Sequence, residues 1–209
     1  MPPTFTDIIT TEAQIRDILG EPPERVIAKV SPTIDTHCRD FIARSPFVVV
    51  ASSDANGNVD VSPKGDPAGF VQVLDDHTLA IRDRLGNRRA DTLTNVIQNP
   101  NVGLYFLIPG KPETLRVSGT ATVVRDQWLR DSMAIKGKSP DLALVVHVQE
   151  AFIHCAKCIM RSDLWDQRTW PDTTGMATLA QIMTDHGHLS QPIEDLEEIV
   201  AASYRDRLY

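Results

Sequence analysis

The run DRLGNRRADTLTNVIQNP, residues 83–100, carries the most unusual charge pattern of the chain. Between residues 82 and 89, Arg82, Arg84, Arg88 and Arg89 stand against a single acid, Asp83, in a protein of net charge -7. Asn87 occupies the place of a helix N-cap, ahead of a helix whose Ala90, Leu93, Val96 and Ile97 form an apolar side and which Asn99-Pro100 ends. That spacing predicts Arg88 and Arg89 in the first turn, where the positive pole of the helix disfavours cations. Two arginines beside free backbone N–H groups suit an external anion such as a phosphate. A solvated basic turn neutralised by neighbouring carboxylates explains the same spacing equally well.

Three further segments carry candidate chemistry. In VDVSPKGDP, strand register puts Val59, Val61 and Pro63 on one side and Asp60, Ser62 and Lys64 on the other, a polar face that suits a ligand or an ordinary solvent-facing edge. In ETLRVSGTATVV the same alternation aligns Thr114, Arg116, Ser118, Thr120 and Thr122, with Arg116 either a ligand contact or a cross-strand ion-pair partner. FIHCAKCIMRSDLW reads as a strand at first, which would set Lys157 and Arg161 on one face and His154 on the other. Strand geometry would also point Cys155 and Cys158 to opposite faces, so the C-x-x-C is expected to be two buried small apolar residues and no bridge. Trp165 is expected as a core or interface aromatic. Phosphate-loop, dinucleotide-fold, serine-hydrolase and zincin signatures are all missing from the chain, and the six histidines are scattered. No metal site and no catalytic acid or base is assigned.

The elements that must position these residues change character near Pro46. Residues 1–45 read as helical: TEAQIRDILG is capped by Thr11 and stopped by Gly20, and a second helix through Cys38, Phe41 and Ile42 is expected to start from Thr33. From Phe47 onward come short β-rich runs, with Asn56-Gly57 marking a hairpin turn between the first two. One helix, residues 87–98, interrupts them. Beyond Asp126 helical patches are expected at residues 127–134 and 140–148, and two polar helices after Met176. Hairpin spacing with a single intervening helix points to an antiparallel barrel or sandwich and not to alternating βαβ units.

Composition bounds the class. With 209 residues, 42% hydrophobic and 23% charged, the chain can bury an ordinary core and holds no apolar run near the roughly 20 residues of a spanning helix. Three cysteines agree with a reducing compartment, and the N-terminal residues lack a secretory pattern, so a cytoplasmic protein is expected. The net charge of -7 argues against nucleic acid as a partner. The acidity is uneven: Asp185, Glu194, Asp195, Glu197, Glu198 and Asp206 crowd the tail against Arg205 and Arg207.

Taken in order, SPKGD, DRLGNRR, NPNVGLYFLIPG, ETLRVSGTA and FIHCAKCIMRSDLW resemble the corresponding segments of the pyridoxamine 5'-phosphate oxidase-related FMN-binding proteins, from about residue 33 to residue 165. The chain is most similar to the general flavin-binding subgroup, since the Arg-x-His type substrate pattern of the pathway oxidase has no match near the C-terminus. The resemblance implies a mainly β fold with peripheral helices, a six-stranded antiparallel split β-barrel forming a homodimer with FMN in clefts at the subunit interface. With the change of pattern near residue 46, the chain is expected to divide into an N-terminal helical segment (1–45), the FMN-binding split-barrel domain (46–170) and a helical tail packed on the barrel (171–209). By position, Ser62, Pro63 and Lys64 match the strand beside the flavin, and Asp83, Asn87, Arg88 and Arg89 the loop that holds ribityl chain and phosphate. Arg116 matches a strand near the polar edge of the ring, and Lys157, Arg161 and Trp165 a late segment often given by the partner subunit.

The resemblance also implies a flavin-dependent oxidoreductase of a small-molecule substrate, with NADH or NADPH as electron donor and neither nucleic acid nor membrane as partner. A flavin-binding module without turnover would use the same residues, and heme or deazaflavin binding is a known variation of such barrels. A hydrolase of phosphorylated substrates, with His154 or Asp66 activating water, is the alternative from another class.

Overall fold

A computed structural model of the chain describes residues 2–84 and 86–208. Met1, Leu85 and Tyr209 lie outside the described residues, so the DRLGNRR motif is followed through its other six positions. At the N-terminus Thr11 and Gln14 form a reciprocal capping box for α1 (Glu12–Leu19), which Gly20 stops at φ 73°. A short α2 (Glu24–Ile27) follows. In α3 (Thr36–Arg44) the cap is Asp35, not the expected Thr33: its carboxylate accepts the Cys38 N–H at 2.8 Å. That backbone hydrogen bond holds the Asp35 carboxyl below the usual carboxylate range. Cys38, Phe41 and Ile42 face inward from α3, as their spacing predicts.

After α3 come β1 (Phe47–Ser53), β2 (Val59–Gly65), β3 (Val71–Val73), β4 (Thr78–Arg82) and α4 (Asp91–Gln98). The β1–β2 hairpin turns on Asp54, whose carboxylate accepts the Asn56 and Asn58 N–H groups at 2.8 and 2.9 Å, with Gly57 at φ 83°. Then come β5 (Asn101–Leu107), β6 (Thr114–Val124), α5 (Gln127–Ser132), β7 (Ala143–His154), α6 (Lys157–Arg161), a 3-10 turn (Gln167–Thr169), α7 (Leu179–Gly187) and α8 (Ile193–Asp206).

All seven strands pair antiparallel in one sheet of order β2-β1-β5-β6-β7-β4-β3, one strand more than the six expected. The interior is built from the alternate residues of these strands, among them Val48, Val50, Leu104, Phe106, Leu115 and Val146, closed by the inward side of α3 and by Val96 of α4. α4 packs on β1, β2 and β6, while α3 packs on β3 and β7. The chain thus has the mainly β split-barrel class with peripheral helices. No helix among the described residues is long and apolar enough to cross a membrane.

The expected helix at residues 140–148 is instead the first half of β7, the longest strand. Leu144, Val146 and Val148 point inward with period two, but the next buried residue is Ala151, one position out of phase. The slip is a β-bulge: Ser118 pairs with Glu150 and Gly119 with Val148, leaving Gln149 as the extra residue. A broken period of this kind does not read as a strand. Gly119 sits at the bulge because a Cβ there would run into the His147 carbonyl oxygen and stand 3.2 Å from the Val148 Cα. Both obstacles are backbone and cannot rotate away. Gly119→Ala is therefore expected to lower the unfolding free energy by about 2 kcal/mol or more, in the range of overpacked interiors. Urea unfolding with an unchanged midpoint would contradict this reading of the bulge.

Candidate functional site

The strand β2 lies at the sheet edge with its usual polarity reversed. Asp60, Ser62 and Lys64 are half-buried, whereas Val59 and Val61 are 71% and 61% exposed. The polar side is sheltered because α4 stands over it: Thr92 donates to the Asp60 carboxylate at 3.1 Å, and Asn95 and Asn99 donate to Ser52 and Ser53 of β1 at 3.1 and 2.8 Å. Between β2, the end of β4 and the start of α4 opens a cleft of about 480 Å³. Ser62, Pro63, Lys64, Asp83, Asn87, Arg88 and Arg89, seven of the eleven residues singled out above, line it.

The loop into α4 differs from its expected form. The helix begins at Asp91, with Ala90 in the left-handed conformation at the cap, so Arg88 and Arg89 precede the first turn. Asn87 does not cap the helix; its side-chain oxygen accepts the Arg89 N–H at 3.0 Å and tightens the loop. Arg88 (φ 62°) and Ala90 (φ 58°) are both left-handed, a conformation that costs each of them about 1 kcal/mol or more. Ile97, expected on the apolar side, is 79% exposed.

Most of the basic excess is neutralised within the fold. Arg84 places its Nε 2.7 Å from the Asp66 carboxylate, which Arg82 also approaches at 3.8 Å. Arg89 pairs with Asp91 at 2.7 Å. The side chains of Arg88 and Lys64 form no hydrogen bond or ion pair among the described residues and both line the cleft, with the Lys64 charge acting on Asp83. Burial raises the Asp83 carboxyl above the ordinary carboxylate range; Lys64 and the Arg84 N–H pull it back and Asp141 pushes it further up. Sequence reasoning missed Asp60, Asp141 and Arg207 as lining residues. Asp60 was signalled by its register with Ser62 and Lys64, whereas Asp141 and Arg207 arrive by tertiary contacts that spacing does not encode.

The remaining four candidates lie elsewhere. Arg116 lines a second hollow of about 340 Å³ on the other side of β1, β5 and β6, with Tyr105 and His154, and its guanidinium lies 5.2 Å from the Phe152 ring centroid. Lys157 and Arg161 are exposed on α6, a helix where a strand was expected. Trp165 is half-buried and donates to the Lys111 carbonyl at 2.9 Å. Cys155 and Cys158, expected to be buried, are both exposed.

A family model described as pyridoxamine 5'-phosphate oxidase matches residues 34–155, which include the cleft apart from Arg207. Solved structures of similar fold include HupZ of Group A Streptococcus, at 20% identity over 57% of this chain and 93% of that one, with a TM-score of 0.47. An FMN-binding protein from Syntrophomonas wolfei is 13% identical over 56% and 83% of the two chains (TM-score 0.44). General Stress Protein 26 from Bacillus anthracis is 14% identical over 55% and 88% (TM-score 0.43). No curated protein matches the chain.

The raised Asp83 carboxyl has a signed consequence. Below the ordinary carboxylate range, about pH 3.9, Asp83 is protonated in both folded and unfolded chains and costs nothing. As pH rises through its folded-state pKa, ionisation is resisted by burial and stability is lost. Asp83→Asn, which cannot ionise, is expected to melt at a higher temperature than the unsubstituted protein near neutral pH and to lose that advantage in acid. The same difference at both pH values would contradict the assignment.

Proposed function

The chain belongs to the pyridoxamine 5'-phosphate oxidase family of flavin-binding split barrels, and from that premise we propose that it binds FMN in the cleft between β2 and α4 and serves as a flavin-dependent oxidoreductase of a small molecule. The observation that carries this reading is the loop at residues 86–90: Arg88 lacks an internal counter-charge among the described residues while both of its arginine neighbours, Arg84 and Arg89, have one. A left-handed turn that holds a guanidinium without an ion-pair partner over a cleft, in which Lys64 adds a second positive charge, suits the phosphate of a small ligand. The volume lies within the range of small-molecule sites, roughly 300 to 1,000 Å³.

The residues present fit FMN. Arg88, with Lys64 and the neighbouring Arg89, would hold the phosphate, and Asp83 with the Asn87 loop the ribityl hydroxyls. Ser62, Pro63 and Lys64 would run beside the ring. FMN, when bound, supplies acceptance and donation of hydride. The protein's own part would be to fix the phosphate, orient the ring and exclude water, and Arg116, which lines the other hollow, would stabilise negative charge at the polar edge of the ring only across an interface with a second subunit. Lys157, Arg161 and Trp165 would likewise act across the interface of a homodimer. Support for that interface comes from the exposed Val59 and Val61 on the edge strand, apolar surface that a second copy would cover. The hydrolase alternative loses its base, because Asp66 is sealed against Arg84 with a side chain 3% exposed, and His154 lines the other hollow.

Arg88→Ala is expected to weaken FMN binding by roughly ten- to 150-fold, the equivalent of about 1.5–3 kcal/mol for a charge-assisted phosphate contact, and to leave riboflavin binding unchanged. Fluorescence titration with both flavins measures it. Unchanged FMN affinity would overturn the phosphate assignment. Reduction of the bound flavin by NADH or NADPH with reoxidation by an added acceptor separates an oxidoreductase from a module that only binds.

A further inference from the structure

The cysteines of the C-x-x-C acquire a different meaning once Cys155 and Cys158 are placed. Strand geometry would have turned them apart, but β7 ends at His154 and the chain passes at once into α6. Ala156 is helical (φ -68°, ψ -12°), and Lys157 opens the helix. The turn is held by the Met160 N–H on the Ala156 carbonyl at 2.9 Å and the Ser162 N–H on the Cys158 carbonyl at 3.1 Å. Cys155 stands between β7 and α6, and the two helical residues that follow it, Ala156 and Lys157, fold the chain so that the Cα atoms of positions i and i+3 come within about 5–6 Å, a separation that a disulfide spans. Both thiols are free and exposed.

The third cysteine supplies a contrast within the same molecule. Cys38 is 4% exposed in the core, and burial pushes its thiol up to about 12, so it does not ionise near neutrality. A metal reading of the pair lacks ligands, since no group of three or more His, Cys, Asp or Glu side chains converges among the described residues. Lys157 between the cysteines and Arg161 one turn later form no ion pair with a carboxylate among the described residues. Two such cations favour an acidic reaction partner.

We propose that Cys155 and Cys158 form a reversible thiol–disulfide pair that exchanges with acidic low-molecular-weight disulfides of the glutathione disulfide class. One protein thiolate attacks a sulfur of the external disulfide, whose S–S bond breaks and releases one small thiol; a mixed disulfide remains. The second cysteine, as thiolate, attacks the protein sulfur of that mixed disulfide, forms the Cys155–Cys158 bond and releases the second small thiol. The two protein thiols are oxidised, and the external disulfide is reduced to two thiols that carry the two protons. An excess of small thiol reverses both steps. The closed bridge would pin the junction of β7 with α6, the turn that presents Lys157 and Arg161. This chemistry does not use the cleft and takes place where α6 is open to solvent; Lys157 and Arg161 engaged across a homodimer interface would close it off.

Intact-mass measurement of the native full-length protein after incubation with glutathione disulfide tests it. The expected product is lighter by two hydrogens and carries no adduct, yields one Cys155–Cys158 linked peptide, and returns to the starting mass with a reductant. Native thiol titration is expected to fall from two reactive groups to none, with Cys38 appearing only on denaturation. In Cys158→Ser, a change on an exposed helix face, the mixed disulfide should persist as one glutathionyl group on Cys155. Stable addition of two glutathionyl groups, a disulfide between two chains, or thiols that do not react would each overturn the proposal.

Discussion

Asp66 lies just after the edge strand β2, with its carboxylate almost wholly shielded from water and two guanidinium groups against it, Arg84 at 2.7 Å and Arg82 at 3.8 Å. A carboxylate sealed in this way is tolerable only because both partners are present, and losing either charge would leave the other stranded in a medium of low polarity. The cluster is also a mechanical joint. The Asp66 N–H donates to the Pro46 carbonyl at 3.1 Å, and Arg82 donates to the Phe70 and Met133 carbonyls, each at 3.3 Å. The start of β1, the approach to β3, the end of α5 and the end of β4 are thereby fixed against one another. The loop that carries Arg88 is launched from this joint.

That arrangement explains how an acidic protein keeps a small basic site. Cations that the fold needs for itself are matched locally: Arg82 and Arg84 by Asp66, Arg89 by Asp91. The cleft is left with the cations Arg88 and Lys64 and the half-buried Asp83. A ligand that brings one compact anionic group and several hydroxyls meets both, the anion at Arg88 and the hydroxyls at the carboxylate. A long polyanion does not, since Asp60, Asp83, Asp91 and Asp141 all line the same space. Selectivity here comes from the close spacing of opposite charges and not from net potential.

How much of this could be read from the amino-acid order depends on the range of each interaction. The strand β6 is written in alternation, β1 and β5 as short apolar runs bounded by turn residues, and the hairpin in an Asn-Gly pair, so their existence follows from local pattern. β7 was hidden by a single extra residue, Gln149, which shifts the inward positions from Val148 to Ala151. The basic cluster at residues 82–89 was visible, but not its division of labour, because the partner of Arg84 lies 18 residues away in a different element. The helix start moved from Asn87 to Ala90 for a local reason that composition does not reveal, a left-handed alanine at the cap. Cys155 and Cys158 came out exposed once α6 replaced the expected strand, and Arg207 reaches the cleft from a tail that read only as acidic.

A crystal structure of the protein saturated with FMN would show where the phosphate sits. The expected result is phosphate oxygens within hydrogen-bond distance of the Arg88 guanidinium, in the cleft between β2 and α4, with Asp83 facing the ribityl chain. Phosphate density in the hollow beside Arg116, or FMN bound with Arg88 turned to solvent, would contradict it.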